Sequence, residues 1–134
     1  MSFINIKVIT MQETRIPCNQ ICTKHNYVTH FSGNSSIDIR PREYGVGISV
    51  HIDWKNFIKE VQPINNRIMW IYLENLELDF KYVVFSVYGP TNPTGIEVKE
   101  VFWSQLNKAL SEAKRLFPLA VILLVTSMPE LVQV

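Results

Sequence analysis

Tyr82-Val83-Val84-Phe85-Ser86-Val87-Tyr88, continued by Gly89-Pro90-Thr91-Asn92-Pro93-Thr94-Gly95 and then by Glu97–Leu116, decides the fold class. The first stretch is short, β-branched and aromatic, and it stops at a loop holding two prolines and two glycines. That is the pattern of a buried strand and its exit. In the next stretch the period changes. Val98, Val101, Phe102, Leu106, Leu110, Ala113 and Phe117 recur three and four residues apart, the apolar stripe of an amphipathic helix. Glu97 and Glu100 open that helix, and Lys114 and Arg115 close it, as its dipole favours. Pro118 stops it, and Leu119–Val125 reads as a closing strand. Strand, loop, helix and strand in one run predict an α/β chain with an α+β-like mixed sheet.

On the N-terminal side, Phe3–Met11 is nearly continuous in apolarity and reads as a strand buried on both faces. Gln12-Glu13-Thr14 follows it, setting one carboxylate at the exit of a strand, where α/β proteins concentrate chemistry. Pro17 is placed to open a short helix through about His25. Asn26–Phe31 alternates weakly as a second strand, and Ser32–Tyr44 has loop composition. Gly45–Val50 is a third strand. Trp54–Val61 fits a short helix or an irregular edge, and Arg67–Leu73 alternates around Ile68, Trp70 and Tyr72 as a further strand.

The 134 residues suffice for one domain with a core. Thirteen basic and twelve acidic residues leave a net charge of +1, so no broad basic field drives nonspecific nucleic-acid binding, and little charge opposes self-association. No apolar stretch reaches membrane-spanning length, and no signal peptide is expected from Met1-Ser2-Phe3-Ile4-Asn5. Two cysteines form no disulfide framework, which points to a reducing, intracellular compartment.

Each chemical motif has an ordinary counterpart. Glu13 can hold a hard divalent cation, or can be a solvated carboxylate paired with Arg15. Tyr88 and Asn92 can hydrogen-bond a phosphate, or can shape a strand-to-helix connection. Cys18, Cys22, His25 and His30 have the wrong spacing for common zinc modules. His51 and Asp53 lack a Ser or Cys nucleophile at an elbow, so they read as surface. Gly45 and Gly47 are not a dinucleotide fingerprint, because no helix follows directly.

Taken in order, Ile9-Thr10-Met11-Gln12-Glu13-Thr14-Arg15, Gly45-Val46-Gly47-Ile48-Ser49-Val50, Asn66-Arg67-Ile68, Val87-Tyr88-Gly89-Pro90-Thr91-Asn92 and Phe102-Trp103-Ser104-Gln105-Leu106 resemble the endonuclease/exonuclease/phosphatase superfamily. The resemblance is closest to the endonuclease domain that precedes reverse transcriptase in non-LTR (LINE-type) retrotransposons. It runs through about Leu124 and leaves 126–134 as a divergent tail. It implies a partial four-layer α/β sandwich, about half of that fold. It implies Mg²⁺ as cofactor with Glu13 as its ligand, Tyr88 as the scissile-phosphate contact, Asn92 beside it, and DNA as partner.

The same comparison shows what is missing. The family carries an Asn on an earlier strand, a Gly-Asp-x-Asn segment after the closing strand and a later Ser-Asp-His segment. Here Val125 is followed by Thr126-Ser127-Met128-Pro129-Glu130. A concerted site that loses members fails non-additively, so little or no nuclease activity is expected from this polypeptide. Because the family's N-terminal portion chiefly builds one sheet, an apolar sheet face is expected to lie bare. That favours a homodimer, aggregation or closure by Met128–Val134. The alternatives are a non-enzymatic interaction module, or a phosphatase or deadenylase branch acting on phosphoinositide or RNA.

Overall fold

A computed structural model describes residues 7–16, 19–33, 45–89 and 96–127. It is a mixed α/β structure with two four-stranded sheets and one long helix. The first sheet contains β1 (Val8–Gln12), β2 (Gln20–Lys24), β3 (Tyr27–Ser32) and β4 (Val46–His51), in the order β1-β4-β3-β2, all antiparallel. A 3-10 turn, Ile52–Phe57, leads into the second sheet. That sheet contains β5 (Ile58–Pro63), β6 (Ile68–Asn75), β7 (Phe80–Tyr88) and β8 (Val121–Ser127) in sequence order. Helix α1 (Ile96–Leu116) is the crossover that lets β8 pair parallel to β7. Among the described residues no helix is long and apolar enough to cross a membrane.

The strand β6, Ile-Met-Trp-Ile-Tyr-Leu-Glu-Asn, shows why the layers stack as they do. Ile68, Trp70 and Tyr72 point to α1, where Val83, Phe85 and Val87 of β7 join Phe102, Leu106, Ala109 and Ala113. Met69, Ile71 and Leu73 point the other way and meet Val46, Ile48 and Val50 of β4. A strand with apolar residues on both parities can be satisfied only when both faces are covered. Here the covers are a helix and a sheet.

Several expectations need correcting. The first sheet covers the face that was expected to lie bare, so the described residues form three layers: sheet, sheet and helix. β1 is an edge strand whose outward Ile9 is 40% exposed, so it is not buried on both faces. Of the helix expected from Pro17 to about His25, Pro17 and Cys18 lie outside the described residues, and Gln20–Lys24 is instead β2, hairpinned to β3 through His25 and Asn26. Both turn residues have positive φ, 53° and 69°, the handedness a two-residue hairpin turn needs. On α1, Val101 is 54% exposed and Ala109 is buried in its place. At about 100° per residue, Val101 sits a quarter-turn off the face centred on Phe102. β8 continues through Ser127, two residues beyond the expected boundary.

Candidate functional site

One end of the sandwich brings Glu13 and Tyr88 together with Gly45. The register places the C-terminal ends of β1, β3, β5, β7 and β8 there, with the starts of β2, β4 and β6. Glu13 leaves β1 and Tyr88 ends β7, so both lie at this end.

The two exits are tied together. Gln12 faces into the sandwich and its Nε2 donates to Ser86 Oγ at 3.0 Å. Ser86 Oγ in turn donates to the Met11 carbonyl at 2.9 Å. Ser86 is fully buried, and this pairing answers the demand that a buried hydroxyl finds partners. A backbone path runs alongside. Thr14 N–H donates to the Gly45 carbonyl at 3.0 Å, Gly45 N–H to the Asn66 carbonyl at 2.8 Å, and Tyr88 N–H to the Arg67 carbonyl at 2.8 Å. Gly45 has φ of 119°, and a Cβ there would collide with Thr14 Oγ1, so this link requires glycine.

Glu13 and Arg15 both take left-handed backbone, φ 57° and 60°, so β1 leaves its sheet through a kink. The Glu13 carboxylate accepts from Arg15 Nη2 at 3.0 Å, with both side chains substantially exposed. This is the ordinary pairing anticipated for a strand-end carboxylate. Tyr88 is half-buried. The Arg67 guanidinium donates through Nη1 to the Tyr88 carbonyl at 3.2 Å and sits 5.6 Å from the ring centroid, a cation–π distance. Asn92 lies outside the described residues.

Asn65 and Ser86 are not singled out by the sequence, and Arg67 enters only as part of the strand opening Asn66-Arg67-Ile68. Asn65 Oδ1 accepts from the N–H groups of Arg67 and Ile68 at 2.8 and 3.0 Å, and its Nδ2 donates to Gln105 on α1 at 3.1 Å. It thereby fixes the turn that presents Arg67. The available signal was the polar triplet Asn65-Asn66-Arg67 interrupting two apolar strands.

For a Mg²⁺ ion this end supplies one protein carboxylate, and the rest of the shell would have to come from substrate phosphate and water. Glu13 is one carboxylate already engaged by a guanidinium, and among the described residues no group of three or more His, Cys, Asp or Glu could hold a metal ion. Among the described residues, Cys22 and the three histidines do not converge. Cys22 is exposed on the outer face of the first sheet, His25 is in the hairpin turn, and His30 pairs with Ile48 on the inner face; Cys18 lies outside the described residues. His51 Nδ1 accepts from Asp53 N–H at 3.1 Å, so it caps the 3-10 turn. Chemically, this end offers a carboxylate, a phenol and two guanidinium groups around a rigid junction of strands. Comparison with protein-family models, with curated proteins and with solved structures returned no match to this chain.

Proposed function

We propose that the chain is a phosphodiester-binding domain of the retroelement-endonuclease type, carrying part of a hydrolytic site and cleaving little or no DNA by itself. One observation carries the reading: the Gln12–Ser86 tie holds the exits bearing Glu13 and Tyr88 at one end of the sandwich. A phosphate approaching there would meet the Tyr88 hydroxyl and the positive charge of Arg67, while Glu13 would act only after leaving Arg15. In-line hydrolysis also needs a positioned base and charge stabilisation of the leaving oxygen. Of the two strand exits, only that of β1 brings a carboxylate, Glu13, for the first task, so binding outlasts catalysis in this reading.

Two measurements on the full chain test it. Plasmid nicking with Mg²⁺ is expected to stay at background; nicking that vanishes in Glu13→Ala would overturn the inactivity. Binding of a labelled DNA duplex, followed by fluorescence anisotropy at low salt, is expected to weaken about three- to tenfold in Tyr88→Phe, the loss of one hydrogen bond. No binding at low salt, or binding indifferent to Tyr88→Phe, would remove the phosphodiester reading itself.

A second reading, a non-enzymatic interaction module, is favoured by the Glu13–Arg15 ion pair, which leaves the carboxylate occupied. It predicts no DNA binding in the anisotropy assay and an intact fold in Glu13→Ala/Tyr88→Phe.

A further inference from the structure

Among the described residues β8 pairs only with β7 and closes its sheet as an outer edge. Natural edges are blunted by charge, proline or a bulge. The outer strand β5 follows that rule, with Lys59, Glu60, Pro63 and a register shift. β2 is short and ends in Lys24. β8 reads Val-Ile-Leu-Leu-Val-Thr-Ser, without a charge, a proline or a glycine. Val121, Leu123, Leu124 and Val125 are each 43–54% exposed. Leu123 and Val125 also line an open apolar groove of about 490 Å³ with Val8, Trp54, Tyr82 and Val84, on the flank where β1 and β8 leave the sandwich uncovered. An edge and a groove of this kind, side by side, form an interaction surface.

We propose that the occupant is a second copy of this chain, its β8 paired antiparallel to the first about a two-fold axis through Leu124. Self-complementarity argues for a second copy. In that register Leu124 meets Leu124 of the other copy, Leu123 meets Val125, and Ile122 meets Thr126. Opposed residues in an antiparallel pair share a face, so Leu123 and Val125 of each copy extend the groove wall of the other. No charge meets its like along the strand, and a net charge of +1 per chain adds little repulsion. The two four-stranded sheets become one continuous sheet, which removes both bare edges. The contact is small, so a dissociation constant in the range of about 1 to 100 μM is expected. This inference does not depend on the phosphodiester reading, because in such a dimer the Glu13 ends face opposite ways.

The test is sedimentation velocity on the full chain across that concentration range. The mass is expected to rise from monomer towards dimer, and Leu124→Lys is expected to hold it at monomer with an unchanged circular dichroism spectrum. Should Leu124→Lys misfold, cysteine placement decides. In a Cys18→Ser/Cys22→Ser background, Leu124→Cys is expected to cross-link to its own copy on mild oxidation. Val121→Cys is not, since the axis sets the two copies of residue 121 about 20 Å apart. A chain that stays monomeric throughout overturns the proposal and assigns the edge to residues 128–134 or to a different protein. A dimer indifferent to Leu124→Lys, or equal cross-linking at 121 and 124, overturns it as well.

Discussion

At Ser86, a hydroxyl sits in a strand whose neighbours are valine and phenylalanine, and its two hydrogen bonds reach across to the other sheet. Replacing it with alanine keeps the volume nearly constant but strands the Gln12 amide and the Met11 carbonyl without that partner. The cost of leaving buried polar groups unpaired is about 1–3 kcal/mol. Ser86→Ala is therefore expected to lower the unfolding free energy by that amount, read as a lower urea midpoint with an unchanged slope; a neutral substitution would mean the tie is ornamental. His30 supplies a titration. It is half-buried on the inner face of β3, and burial holds its imidazole below the ordinary value of 6.5, that is, neutral in the fold. The unfolded chain protonates first as pH falls, so it binds more protons than the native state, and stability must rise with pH through this window. The full contribution is present above about pH 6.5 and is lost progressively as pH drops towards the depressed native value. His30→Gln is expected to flatten that part of a stability-against-pH curve; an unaltered curve would assign the acid lability to another group.

The β2–β3 hairpin shows how far an element is legible in its own residues. Pro17 and the spacing of Cys18, Cys22 and His25 suit a helix locally, and Gln20–Lys24 carries no strict alternation. The deciding residues, His25 and Asn26, adopt the positive φ of a hairpin turn without the glycine that usually announces it. Pairing with β3 across Gln20–Phe31 to Lys24–Tyr27 overrides the local preference. By contrast β6, β7 and α1 were readable because burial writes long apolar patterns: two covered faces for the strands, one stripe for the helix. The candidate site was half-readable for the same reason. Glu13 and Tyr88 stand out by ending apolar runs, whereas Ser86 is unremarkable alone and Gln12 was legible only as the neighbour of Glu13; their pairing across 74 residues is not written in either segment. The hairpin account has a direct consequence. A non-glycine residue pays about 1 kcal/mol or more in left-handed backbone, so His25→Asn/Asn26→Gly is expected to raise stability by about 0.5–1 kcal/mol in thermal unfolding. A loss of stability would mean that the native turn geometry is held by the side chains it would remove.

The whole molecule is organised around one shared layer. β6 and β7 contribute to the helix-side cluster with one parity and to the sheet-side cluster with the other, so neither cluster exists without the same two strands. Each cluster carries its own indole. Trp70 packs against Phe85 and Phe117 on the helix side. Trp54 stacks on Phe80, ring centroids 5.0 Å apart, where the first sheet closes over the second. Were the layers independent, the sheet-side contact, which is open along the groove beside β8, would melt first and leave a helix-covered sheet behind. Because the strands are common, losing one cluster exposes the opposite face of residues whose neighbours remain buried, and the intermediate gains little entropy for the apolar area it uncovers. Unfolding is therefore expected to be a single transition, as for most domains of this size. The indole N–H resonances of Trp54 and Trp70, followed through one urea titration, should fade with one midpoint at any fixed protein concentration. That common midpoint should rise with concentration if β8 pairs as proposed, since association stabilises only the folded state. Earlier loss of the Trp54 signal would show instead that the first sheet is an opening cover on a core made by β6, β7 and α1.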